Sequence, residues 1–387
     1  PEPKDAPAAV FIVKGSQMLR LKSADWVSRD NVLPLMPADV ENQIEIIEDY
    51  IQKYIPSYPF LKAIEQGIIT SQGVLFTRYF PSPLMKRSLL SYDVQKTLKA
   101  LYFQIPSRKH GYYFSHQDRA LLMDLYAYGF PIYWADETSG TILKYVQRAH
   151  KSSGLFVPLK RIDTFRNATF FGVYGSNLIA GDFQQELAKL LKGVLAMKEH
   201  LTHPLMNKLT PLALVTGGGP GAMILSCAHI VDFRTDLIQK VHEQKPNPYV
   251  EAKMSYRLDQ LIERQANFFL DFPIFVMGGI GTDFEYSLEE LRHKVGYSTH
   301  CPIMLFGKVQ YWKEKITHRF QCNERSGTIK GSEWLSNCFF CIENAQEGLK
   351  VYQDFFEGKL EMGPGCKIYP DGFVIAKELY NTSFGSN

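Results

Sequence analysis

Long hydrophobic runs are missing from this sequence. No stretch approaches the roughly 20 apolar residues that span a bilayer. The apolar run at residues 8–13 is too short for a secretory-signal core, so a cytoplasmic location and no membrane partner are expected. Cysteine is scarce: Cys227, Cys301, Cys322, Cys338, Cys341 and Cys366 are spread over 387 residues, too thin for a disulfide scaffold. Only Cys338 and Cys341 stand at C-x-x-C spacing, without the second pair and knuckle turns of a zinc ribbon. The run Cys338-Phe339-Phe340-Cys341-Ile342 reads instead as a buried strand, where free Cys packs as a small hydrophobe. An excess of charge of one sign is also absent. Lys plus Arg number 43 against 40 Asp plus Glu, a net +3, which argues against a nucleic-acid partner or a polybasic membrane arm. The ten histidines are scattered with no metal-ligand spacing, so no metal site is expected, and His293 and His300 read as surface residues or supports of a site. Repeats and low-complexity tracts do not occur.

What is present is an ordinary globular composition, 45% hydrophobic and 21% charged, with 13% aromatics that promise a large core. At roughly 150 residues per domain, two or three domains are expected. Residues 1–160 read as an N-terminal α+β accessory domain. In it, residues 41–54 form an amphipathic helix with Ile44, Ile47, Tyr50, Ile51 and Tyr54 on one stripe. Residues 73–80 and 130–134 read as strands, 92–103 and 117–128 as helices, and 151–154 (KSSG) as a linker. Residues 161–357 change texture to short apolar strands, Gly-bearing turns and long helices in alternation. The strands are 168–174, 212–216, 272–277, 302–306 and 338–342; the helical runs include 182–200, 256–270 and 285–295. That alternation predicts an α/β fold, a Rossmann-like doubly wound parallel sheet covered on both faces. Residues 358–387 read as a C-terminal tail.

Two glycine clusters fall at strand carboxyl ends, where such a sheet binds its ligands. Without Cβ atoms the backbone can approach an anion, and the free N–H groups of the following helical turn point at it. In Gly278-Gly279-Ile280-Gly281-Thr282 the Thr282 hydroxyl offers a further donor and an N-cap. Glu285 follows on the first turn of the same helix. It suits a ribose more than a phosphate, because like charges repel; the alternative is a capping box formed by Thr282 and Glu285. The other cluster, Gly217-Gly218-Gly219-Pro220-Gly221-Ala222-Met223, also matches the G-x-G-x-x-A dinucleotide fingerprint. That reading wants an acidic residue at the end of the next strand, whereas residues 231–243 read as helical or irregular. It also wants the first strand of the unit, and this turn follows the second.

Taken together, the pair of clusters resembles the LOG family of nucleoside 5′-monophosphate phosphoribohydrolases, which carries GGGxxGxM followed by PGGxGTxxE. Gly175-Ser176 is similar to that family's first Gly-Ser turn, and the resemblance covers about residues 165–355. Around Pro246-Asn247-Pro248 the chain looks like the larger bacterial purine/pyrimidine-nucleotide nucleosidases. Met277 stands where the family has proline, Phe284 where it often has glutamate, and Ile224 where a glycine is common. The family's helix arginine falls in register on Ile262, flanked by Arg257 and Arg264, of which Arg264 looks most like the E-R-K signature. The lysine-decarboxylase label borne by many members finds no Schiff-base lysine here.

The resemblance implies hydrolysis of the bond between base and ribose 5-phosphate, with no cofactor. Such a reaction passes through an oxocarbenium-like centre that a carboxylate stabilises, while it orients or deprotonates the attacking water. Glu285 is the candidate for that role and Arg264 the candidate to neutralise phosphate or base. Gly278, Gly279, Gly281 and Thr282 would hold the 5′-phosphate. Gly175, Ser176, Gly217, Gly218, Gly219, Gly221 and Met223 would cradle ribose or base. A homodimer or larger homo-oligomer is implied by the resemblance alone. The competing readings are a non-catalytic nucleotide sensor on the same sheet and a dinucleotide oxidoreductase.

Overall fold

A computed structural model describes residues 57–137, 139–148, 154–175, 183–216, 229–235, 249–298 and 300–381, with short pieces at 13–14, 17–18 and 45–46. The chain divides into two compact units, Pro1–Ile68 and Ile69–Asn387. In the first, the helix Tyr58–Glu65 starts with a proline in its opening turn and buries Tyr58, Leu61 and Ile64 along one stripe. The amphipathic helix expected over 41–54 lies outside the described residues, apart from 45–46.

The second unit is organised by one sheet of thirteen strands. In chain order they are β1 (Gly73–Tyr79), β2 (Leu98–Ile105), β3 (Ile132–Asp136), β4 (Thr141–Gln147), β5 (Gly154–Pro158), β6 (Thr169–Tyr174), β7 (Leu212–Thr216), β8 (His229–Thr235), β9 (Val250–Tyr256), β10 (Phe272–Val276), β11 (Ile303–Phe306), β12 (Phe339–Ile342) and β13 (Val374–Ile375). Their spatial order is β13-β12-β11-β10-β6-β7-β8-β9-β5-β4-β3-β2-β1. From β13 to β9 every pairing is parallel. β5 runs antiparallel to β9 and to β4, β4 antiparallel to β3, and β1 to β3 are again mutually parallel. The order carries a reversal. From β6 the chain winds outward through β7, β8 and β9, then returns to the other side of β6 with β10 and winds the opposite way. The topological switch therefore lies between β6 and β10, where a doubly wound sheet opens a crevice at its carboxyl edge.

Packing explains why the apolar runs became strands. Every residue of β10, β11 and β12 is buried, as required when helices cover both faces. The principal helices are α1 (His116–Ala127), α2 (Phe183–Met197), α3 (Leu261–Ala266), α4 (Ile280–Lys294) and α5 (Ala345–Phe356). Leu187, Leu190, Leu191 and Val194 of α2 and Val351, Tyr352 and Phe356 of α5 share one core with Phe171, Leu214, Phe272, Ile274, Met304 and Phe340. Phe171 and Phe272 stack at 4.8 Å, and Tyr352 meets both edge-on at 5.8 and 5.5 Å. Each such side chain contributes roughly 1.5–3 kcal/mol by leaving water. Phe103, Phe114, Trp134 and Phe156 build a second aromatic core nearer β1.

Several elements differ from expectation. The helix expected over 92–103 stops at Thr97, and Leu98–Ile105 pairs as β2 between β1 and β3. The helix expected over 256–270 shrinks to a 3-10 turn at Leu258–Gln260 and the six residues of α3, because Tyr256 closes β9 and Phe268, Phe269 and Leu270 turn into the core. β8 occupies residues read as helical or irregular, and pairing with β7 and β9 supplies the reason. The boundary expected near 160 does not interrupt the sheet, since β5 joins β9 and β4. Gly154, expected in a linker, opens β5 with Tyr145 packed where its Cβ would be. The expected tail supplies β13 and the helix Ala376–Asn381. Cys338 and Cys341 are buried at and in β12 as expected, their thiols pushed up to about 12 by burial.

Candidate functional site

The carboxyl ends of β7, β6 and β10 lie side by side, because the three strands are parallel neighbours. The turns of Gly175 and Gly278 thus leave the same edge of the sheet at which β7 ends. Gly175 adopts φ 146°, and a Cβ there would sit 2.0 Å from Val276 Cγ2 and 2.9 Å from its carbonyl oxygen. Glycine is therefore required at 175 to let β6 and β10 end this close together. Ser176, Gly217, Gly218, Gly219, Gly221 and Met223 lie outside the described residues.

Beyond β10 the hydroxyl of Tyr311 fastens the second turn. It accepts from Gly278 N–H at 3.0 Å and donates to Gly278 C=O at 2.7 Å. α4 then begins at Ile280 with Gly279 as its N-cap. Thr282, expected as the cap, is a buried residue of the first turn, and Glu285 lies on the second turn rather than the first. The reason is that the glycines start the helix three residues sooner, which also separates Thr282 and Glu285 from capping-box geometry. Among the described residues, and leaving aside the adjoining backbone, no atom lies within 4 Å of a Cβ at Gly279 or Gly281. Packing against the described residues does not demand glycine there, and the N–H groups of this first turn suit an anion. Asp283, on the same turn, is exposed and paired with Lys315 at 2.8 Å.

Glu285 is drawn into a polar cluster between α3 and α4. Gln265 Nε2 donates to Glu285 Oε1 at 2.7 Å. Burial pushes the carboxyl up to about 7, against the Arg264 charge and the Gln265 hydrogen bond, with Glu289 adding to the rise. The amide suits both protonation states. Its N–H donates to the carboxylate, and its oxygen, buried with no other partner, can accept from the acid if the amide turns over. Arg264 is buried, its guanidinium 5.1 Å over the Phe268 ring. Arg257 instead engages His110 at 3.3 Å and Asp259 at 3.4 Å, and Ile262 is exposed.

Behind Glu285 lies a buried triad. Glu289 Oε1 accepts from Tyr174 OH at 3.2 Å and from Arg292 Nη1 at 2.6 Å, and Arg292 also donates to the carbonyls of Gln265 and Ala266. Burial first, then Glu289 and Glu285, hold the Tyr174 phenol protonated well above its ordinary range. His293 is also buried rather than at the surface. Its Nδ1 lies 3.0 Å from the Glu289 carbonyl, and burial lowers the ring's pKa. Sequence reasoning missed Tyr174, Gln265, Glu289, Arg292 and Tyr311. Glu285 and Glu289 at i,i+4 and Glu289 and Arg292 at i,i+3 were a readable polar stripe on a helix; Tyr311, 33 residues beyond Gly278, left no signal. Among the described residues no three His, Cys, Asp or Glu converge to hold a metal, and no helix is long and apolar enough to cross a membrane.

No family model matches this chain, and no curated protein matches it. Among solved structures, it is similar to the molybdenum cofactor binding protein from the phototrophic bacterium Rippkaea orientalis, at 12% identity over 49% of this chain and 97% of that one. The TM-score is 0.32, too slight a likeness to carry an argument.

Proposed function

We propose that this protein is a hydrolase that cleaves the N-glycosidic bond of nucleoside 5′-monophosphates, releasing free base and ribose 5-phosphate. The observation that carries this reading is Glu285: a carboxyl held near neutrality by burial, beside a cation, at the switch between β6 and β10. A group that titrates near the working pH can take a proton from water and still stabilise positive charge at C1′. The open amides at the start of α4 would receive the 5′-phosphate, with Tyr311 holding the Gly278 peptide. Arg264 would neutralise phosphate or departing base, and Gln265 would aim the carboxyl. The Gly217 cluster would cradle ribose or base. Neither a cofactor nor a metal takes part. A cytoplasmic, homo-oligomeric enzyme belongs to the same proposal; the exposed apolar residues Ile280 and Leu291 on α4, with Val295 and Tyr297 beyond it, favour a partner subunit there.

Incubation with a panel of nucleoside monophosphates, followed by chromatography for free base, tests the proposal. Glu285→Gln should retain nucleotide binding and lose most turnover. Binding without base release across the panel would favour a nucleotide sensor instead, and a variant with full activity would remove Glu285 from the chemistry.

A further inference from the structure

Two of the residues that act on Glu285 from outside its own helix, Arg264 by its charge and Gln265 by its hydrogen bond, sit on α3. A helix of six residues does not hold its own shape in water, so its position is set by what grips it. One grip comes from α4, where Arg292 donates to the carbonyls of Gln265 and Ala266. The other comes from α1, within the stretch expected to be an accessory domain. Glu263, next to Arg264, has both oxygens engaged by α1: Oε1 lies 2.8 Å from Arg119 Nη1 and Oε2 lies 3.1 Å from His116 Nδ1. Arg119 is 5% exposed, and its guanidinium lies 4.3 Å over the ring of Tyr256, the last residue of β9. The start of α1 is itself fixed by a capping box between Ser115 and Asp118, and Arg257 N–H donates to Phe114 C=O just before it. The contacts run without a gap from α1 through Glu263 to the pair that faces Glu285.

We propose that Arg119 is a positioning residue for the candidate site, acting through Glu263 to set α3 so that Gln265 and Arg264 face Glu285. The inference rests on the role given to Glu285 above. It assigns the region before residue 160 a part in building the site, beyond any regulatory role. Reacting groups displaced by about 1 Å lose on the order of a hundredfold in rate, and a buried cation whose anion is removed does not stay in place.

The test uses the full chain and two readouts. The first is the ¹³C titration of the Glu285 carboxyl, assigned by its disappearance in Glu285→Gln; it needs no catalytic activity. The groups that face this carboxyl are Arg264 and Gln265 from α3, Glu289 from α4 and Tyr174 from β6. Because two of the four ride on α3, Arg119→Ala should move the midpoint by about half a unit or more. Glu263→Gln should do the same, and Arg119→Lys should return it most of the way. The second readout is base release. Either variant should lower kcat/KM by roughly tenfold or more, mainly in kcat, and the double variant should be no worse than the poorer single one. If Arg119→Ala fails to fold, Glu263→Gln at its part-exposed position tests the same link. An unchanged midpoint together with kcat/KM within about twofold of the parent, in a folded variant, overturns the proposal. Absence of base release by the parent chain would refute the hydrolase reading instead, while the titration still decides whether Arg119 positions α3.

Discussion

Replacing Glu285 by Gln separates what this carboxyl does from what it costs the fold. Its ordinary value is near 4.5, and burial raises it to about 7 in the folded chain. Between those two pH values the folded protein keeps a proton that the unfolded chain has released. Stability therefore falls as pH rises from about 4.5 to 7 and is level on either side. At roughly 1.4 kcal/mol per unit the full effect is about 3.5 kcal/mol, and the part-exposed side chain lowers this to roughly 2 kcal/mol through solvent screening. Gln has the shape of the neutral acid and cannot ionise, so the variant escapes the penalty. Urea unfolding at pH 4.5 and pH 8, with midpoints and slopes compared, reads the difference. The two proteins should agree within about 0.5 kcal/mol at pH 4.5, and the variant should be more stable by roughly 2 kcal/mol at pH 8. Equal stability at pH 8, or the same gain at both pH values, would refute the placement of Glu285 in a poorly solvated pocket. A variant more stable and less active would be the mark of a group kept for chemistry.

The glycines around the site should part into two kinds. Gly175→Ala should destabilise by about 3 kcal/mol or more, because the added Cβ strikes Val276 at a φ that L residues avoid; a folding midpoint within error of the parent would contradict this. Gly281→Ala, on the first turn of α4 with no described neighbour within 4 Å of the added Cβ, should leave stability unchanged or raise it by up to about 1 kcal/mol. It should still weaken nucleotide binding by calorimetry, since the methyl crowds the anion's approach. The parent should bind inorganic phosphate or nucleotide less tightly once Tyr311→Phe frees the Gly278 peptide, with the fold intact by circular dichroism. Cys338 and Cys341, their thiols held near 12, should resist alkylation in the folded protein while exposed Cys322 reacts, as peptide mapping would show.

Some of this molecule was readable from residue order because the physics is local. Strands buried on both faces must be apolar throughout, so 212–216, 272–277, 302–306 and 338–342 announced themselves, and with them the parallel sheet. The glycines after β10 and the helix beyond them were equally plain. One strand escaped because it has a polar interior position: β9 carries Lys253, whose Nζ meets Asp136 at 2.6 Å over the ring of Trp134. β2 escaped for another reason, since its leucines and aromatics suit a helix as well as a strand until β1 and β3 flank them.

Residue order thus determined the class of sheet, the glycine turns at its carboxyl edge and the acidic residue that follows the second of them. Tertiary structure alone decided where α4 starts, which arginine of the two faces Glu285, and that the N-terminal half reaches the site through Arg119 and Glu263. Those outcomes depend on groups brought together from β6, α1, α3 and α4, up to 147 positions apart in the chain. Burial of their charges gives the cluster its character, and burial is a property that no segment possesses until the others have packed around it.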